Sequence, residues 1–316
     1  PVNRHCAPRR LVVIATVIAV FGGVLAACVP PPQPPPEPVA PTALQRGLPV
    51  RVTVRWFEDS TRGIPAYGDF GGTPTRPIPT IVWYPADRRG APYPLVVFAS
   101  GFGARPENYA PLLSRIASAG YVVAAPVYPI LSGWPAGPDD VFGWPDLFPD
   151  TSFVTSEMLA QSFFSDPELG GLIDLQRIAV AGHSDGGLIS FGDGYVAFRS
   201  DPRVRAVVSY SAALDEPGTI YQPNGRPFLH VLSDNDVYND FWHSVQWDQG
   251  NLVQPSWTIA LWNASHEGPY MDPGEPHFDA VVDITLAFLD HALKGASTFD
   301  LFIQVVTRPE LLSSML

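Results

Sequence analysis

The stretch that most constrains this chain is Gly182-His183-Ser184-Asp185-Gly186, with Gly187 behind it. It follows Arg177 to Ala181, an apolar run of strand length, and precedes Leu188 to Arg199, which reads as a helix. A strand that turns straight into a helix needs glycines at the corner, because a Cβ there would collide with the neighbouring strand or helix. The turn lifts the Ser184 hydroxyl above the sheet and puts the positive end of the following helix beneath it. Such a serine has a chemical use only if an acid and a histidine follow it.

The rest of the body repeats one pattern. Val50 to Phe57 alternates and is rich in β-formers, Thr80 to Tyr84 is a second strand, and Leu95 to Ala99 is continuously apolar. Tyr121 to Ala125, Val204 to Ser209, Phe228 to Leu232 and Trp257 to Trp262 read as further strands. Between them, Glu107 to Ala119, Thr151 to Phe164 and Asp279 to Leu293 carry helical patterning, and Gly120 and Gly295 stand at helix C-caps. Continuously apolar strands are covered on both faces. Strands alternating with helices predict an α/β fold with a mostly parallel central sheet and helices on both faces, in one domain over 48–316. The segment Tyr128 to Asp150 has Trp134, Phe142, Trp144 and Phe148 without periodicity, and reads as a cleft wall or a core plug.

The N-terminus reads as an address. Arg4, Arg9 and Arg10 precede Leu11 to Ala27, a run without charge, as in a secretory signal. The run is short for a membrane span, which needs about 20 residues. Leu25-Ala26-Ala27-Cys28 resembles a bacterial lipobox, which implies lipidation of Cys28 and anchoring to the outer face of the cytoplasmic membrane. Residues 1–28 are then signal, and 29–47 a tether whose clustered prolines favour extended polyproline II. An uncleaved anchor helix would place the domain on the same side.

Composition excludes several classes. A net charge of −12 argues against a nucleic-acid partner, since phosphate binding needs a basic face. Both cysteines, Cys6 and Cys28, lie in the N-terminal segment, so the body has neither disulfide nor thiolate metal site. No P-loop, dinucleotide fingerprint or H-E-x-x-H run is present, and no metal or cofactor is expected. A monomer is the expected state.

A serine hydroxyl is a poor nucleophile near neutral pH and needs a base, which in turn needs an orienting carboxylate. In such a sheet both should lie just past strand ends. After Phe228 to Leu232 come Asp234 and Asp236. Asp236 is favoured because a turn lets its carboxylate swing towards the histidine, whereas Asp234 suits a turn cap; Asp240 is more remote. After Trp257 to Trp262 comes His266, four residues on; His277 is its rival. His230, His243 and His291 take structural roles by default, and His183, adjacent to the serine, is expected to pack beside the elbow. The expected oxyanion donors are the N–H groups of Asp185, next to the serine, and Phe102, in the loop after Leu95 to Ala99.

Arg76 to Pro85, Phe98 to Gly103, Tyr109 with Gly120 to Pro126, and Gly182 to Gly187 together resemble the α/β-hydrolase superfamily. Within it the similarity is to the dienelactone-hydrolase-like and platelet-activating-factor-acetylhydrolase-like group. Asn263 to His266 is similar to the histidine loop of bacterial cutinase-type polyester hydrolases. The resemblance spans roughly residues 50 to 295 and implies ester hydrolysis through an acyl-enzyme on lipid or other apolar esters. The chain has serine where true dienelactone hydrolases have cysteine, and Ser100-Gly101-Phe102-Gly103 where many lipases have His-Gly-Gly-Gly. A serine peptidase of the same fold and a non-catalytic surface lipoprotein are the competing expectations.

Overall fold

The computed structural model describes residues 47–135, 147–163, 166–215 and 220–308. The signal run, Cys28 and nearly all of the tether lie outside the described residues. Among the described residues, no helix is long and apolar enough to cross a membrane.

The apolar runs become β1 (Val50–Asp59), β2 (Arg76–Pro85), β3 (Tyr93–Ala99), β4 (Val122–Pro126), β5 (Ile173–His183), β6 (Val204–Tyr210), β7 (Phe228–Asn235) and β8 (Ser256–Ser265). They form one sheet in the order β1-β2-β4-β3-β5-β6-β7-β8. β2 is antiparallel to both of its neighbours, and every pairing from β4 through β8 is parallel. This is the mostly parallel sheet expected from the alternation of strands and helices.

The helices are α1 (Ala110–Ser118), α2 (Leu147–Phe163), α3 (Asp185–Tyr195), α4 (Phe241–Asn251), α5 (Gly268–Met271), α6 (Phe278–Lys294) and α7 (Thr298–Val306). The central strands bury both faces. In β3, Val96 and Phe98 join the core under α1 and α6, while Leu95 and Val97 join the core with α2 and α3. That two-sided burial explains why these strands read as unbroken apolar runs.

Several boundaries differ from the sequence expectation. Pro106–Tyr109 is a 3-10 turn and the α-helix starts only at Ala110. α2 begins four residues earlier than Thr151, with Pro149 in its first turn, where a missing N–H costs little. β8 does not stop at Trp262. Asn263, at φ 60°, makes an irregularity after which pairing resumes, with Ser265 opposite Asn235. His266 therefore follows the strand directly. In the segment that could have walled a cleft or plugged the core, Trp134 and Phe148 are buried, Phe148 beside Ile189 of α3; Phe142 and Trp144 lie outside the described residues.

One buried ion pair fixes α2 over the sheet. Asp150 is fully buried and accepts from Nε and Nη2 of Arg76, each at 2.7 Å, and from Arg62 Nη2, also at 2.7 Å. Removing one partner of such a pair costs about 3–5 kcal/mol, because the other is left charged and dry.

Candidate active site

β5 ends at His183 and α3 begins at Asp185, so Ser184 alone makes the corner. Its backbone sits at φ 55° and ψ −124°, a conformation that costs a non-glycine residue about 1–3 kcal/mol. Close packing enforces it. A Cβ on Gly182 would lie 2.1 Å from the Gly186 carbonyl oxygen, and one on Gly186 would lie 2.1 Å from that of Ala99. The Ser184 N–H donates to Tyr210 O at 2.8 Å, and its carbonyl accepts from Gly187 and Leu188. With the main chain thus tied, the partly buried side chain is the part left to react.

His266 is buried, with Nδ1 at 2.6 Å from Asp236 Oδ2. Asp236 is the first residue beyond β7. Its other oxygen accepts the N–H groups of Tyr238 and Asn239 at 2.8 and 3.0 Å. Burial pushes the Asp236 carboxyl up, but these bonds and the contact with His266 outweigh it and hold the pKa below the usual value. The ionised carboxylate accepts a hydrogen bond from Nδ1–H of His266, which leaves Nε2 as the nitrogen with a free lone pair.

Asp234 was expected to cap the turn, and here the structure differs. It accepts the N–H of Ala264 at 3.1 Å, tying β7 to β8, and the turn cap is Asp236 itself. Asp240 caps α4 through the His243 N–H. The rival histidines have their own partners: His277 bonds Glu275, His243 bonds Asp215, His230 bonds Asp248 and His291 bonds the Ala296 carbonyl.

The loop after β3 stands directly on the elbow, since a Cβ on Gly101 would lie 3.2 Å from Ser184 Cβ. Of its amides, Gly101 donates to the Tyr109 hydroxyl at 3.1 Å and Gly103 to Leu131 O at 2.8 Å. The N–H of Phe102, between them, has no partner among the described residues. Asp185 supplies the first peptide of α3, at the positive end of that helix. His183 and Tyr109 also belong to this constellation. The sequence offered His183 only as packing beside the elbow and Tyr109 only as one apolar position of a helix face.

Exposed apolar side chains stand on the loops of this site. Tyr238 sets its edge on the His266 ring at 4.8 Å and is itself 73 % exposed. Val237 next to it in the chain and Phe102 in the loop after β3 are also exposed. At the opposite end of the strands, an open cavity of about 310 Å³ is lined by Tyr93, Arg177 and Lys294. Its two cations are already paired with Asp174 and Asp290.

A solved ferulic acid esterase from Streptomyces cinnamoneus superposes with a TM-score of 0.58 at 17 % identity, covering 87 % of this chain and 95 % of its own. The fold is that of the α/β-hydrolases. A family model described as chlorophyllase matches residues 69–212, a span that holds the Gly101 loop and the Ser184 elbow. No curated protein matches the chain. Taken with the fold, the family match marks the protein as an esterase, a hydrolase of carboxylic esters.

Proposed function

We propose that Ser184 is the nucleophile, His266 the general base and Asp236 the residue that orients it, in hydrolysis through an acyl-enzyme. The observation that carries this reading is the 2.6 Å contact of His266 with Asp236 beside a serine held at φ 55°. His266 Nε2 takes the Ser184 proton as Oγ attacks the ester carbonyl. The N–H groups of Phe102 and Asp185 receive the oxyanion, and His266 returns the proton to the leaving alcohol. Water then enters by the same steps and releases the acid.

The exposed apolar side chains near the site support a substrate class. Phe102, Val237 and Tyr238, on the loops that carry the oxyanion donor and the acid, expose apolar surface, which suits lipid or other apolar esters. Within the fold we place the chain near the dienelactone-hydrolase-like and platelet-activating-factor-acetylhydrolase-like enzymes, on the motifs given above. The basic start, the apolar run and Leu25 to Cys28 support export and lipid anchoring through Cys28. Replacing Cys28 by Ser should then move the protein from the membrane fraction to the soluble one; unchanged partition removes the anchor.

The test of the activity is hydrolysis of p-nitrophenyl acetate, butyrate and palmitate, with methyl ferulate alongside. Activity that vanishes in Ser184→Ala supports the nucleophile, and a higher kcat/KM for the longer chains supports the apolar class. A preference for acetate would sink the substrate class. No hydrolysis and no fluorophosphonate labelling would sink the serine mechanism and leave a binding lipoprotein.

A further inference from the structure

Three segments from distant parts of the chain must keep register for Ser184 to react: the loop after β3, the elbow after β5 and the histidine loop after β8. They meet on one buried side chain. His183, next to Ser184, places Nε2 at 2.7 Å from the carbonyl oxygen of His266 and Nδ1 at 2.9 Å from the Tyr109 hydroxyl. Tyr109, buried as well, accepts the N–H of Gly101 at 3.1 Å.

The protons in this chain of bonds have one arrangement. A carbonyl only accepts, so His183 Nε2 carries the hydrogen and donates it. Burial first, with the nearby His266 adding to it, lowers the His183 pKa to about 3, so the ring is neutral and Nδ1 is an acceptor. Tyr109 donates to Nδ1, and its oxygen is left to take the Gly101 N–H. Each link leaves the next with one possible role.

We infer that His183 and Tyr109 are positioning residues that set the base loop and the oxyanion loop against the serine. The inference rests on the serine-esterase reading above. Holding the Gly101 N–H orients the peptide that follows, whose N–H belongs to Phe102. Holding the His266 carbonyl fixes the backbone from which the imidazole projects. The rings are layered closely: His183 and His266 centroids are 4.6 Å apart, and a Cβ on Gly101 would lie 3.2 Å from His183 Nδ1. Misplacement of a reacting group by about 1 Å can cost roughly a hundredfold in rate, which is the scale on which such a brace acts.

Tyr109→Phe keeps the ring and removes the hydroxyl. His183→Gln keeps a donor near the Nε2 position and gives up the contact with Tyr109. We would measure kcat and KM on p-nitrophenyl butyrate for the full chain, each variant and the double variant, together with melting curves. The expected result is a fall in kcat of roughly tenfold or more for Tyr109→Phe, with KM changed less than about twofold. The double variant should be no slower than the slower single, because both substitutions cut one chain of bonds. His183→Phe, which loses both bonds, should be slower still. If Tyr109→Phe does not fold, His183→Gln is judged on the same terms. Folded variants with wild-type kcat, or losses that multiply in the double variant, would overturn the inference. Failure of the esterase reading looks different: the unaltered chain would then hydrolyse nothing and take no Ser184-dependent label.

Discussion

Two histidine–aspartate pairs lie along β7 and β8, and their bonds are nearly the same length. His266 meets Asp236 at 2.6 Å, and His230 meets Asp248 at 2.8 Å. The second pair even has a serine beside it, since Ser209 of β6 stands opposite His230 in the sheet. Thr258 of β8 also donates to Asp248, at 2.6 Å. Residue types alone would not tell the two arrangements apart. Ser209 and His230 lie within strands, wholly buried, and Asp248 reaches His230 from α4. Ser184, Asp236 and His266 each lie just past the C-terminal end of a strand, where a parallel sheet opens to ligands. Position along the strand, and the strained backbone of Ser184, separate a site for chemistry from a polar cluster in the core.

Substitutions at the two pairs should act differently. The largest effect should come from His266→Ala or Asp236→Asn, each lowering kcat/KM by roughly 10³- to 10⁴-fold with melting close to the parent. Full activity in Asp236→Asn would return Asp234 as the acid. Next is Asp248→Ala, which leaves His230 buried without its partner. We expect a loss of about 3 kcal/mol, a drop in Tm of about 9 °C, and unchanged kcat. A fall in kcat at constant Tm would mean that the core pair takes part in the reaction.

A third, smaller effect is a dependence of stability on pH. The unfolded chain protonates His183 near pH 6.5, as an unperturbed histidine does, whereas the folded chain does so near pH 3. The unfolded state therefore binds more protons between these values. Stability is complete above pH 6.5 and falls as the pH drops towards 3, by about 2 kcal/mol at pH 5. Asp236, whose folded pKa is lowered, adds a loss in the same direction at still lower pH. His183→Gln should flatten the slope of Tm between pH 7 and 5; an unaltered slope would assign the titration to another group. The smallest effect should be Tyr238→Ala, which removes the ring edge from His266 and should lower kcat/KM by about two- to fivefold. An unchanged rate on both short and long esters would remove Tyr238 from the site.

Much was legible before any coordinates. Each central strand, the glycine corner and the cap at Gly295 announce themselves within about ten residues, because burial, backbone freedom and capping are local properties. Those signals were enough for the α/β-hydrolase fold and for the place of Ser184. Other features carried weak local signals. The resumption of β8 beyond Asn263 runs through polar residues, and α7 lies in a tail that matched no motif.

Local patterning was sufficient for the class of fold, and it offered Ser184, Asp236 and His266 as candidates at successive strand ends. The tertiary structure alone decided which aspartate touches which histidine, and that Tyr109, His183 and Gly101 form one line of bonds. The reason is distance along the chain. His266 finds Asp236 across 30 residues, Tyr109 finds His183 across 74, and His183 finds the His266 carbonyl across 83. Propensity and periodicity act over a few residues, whereas these contacts are set by the register in which strands pair.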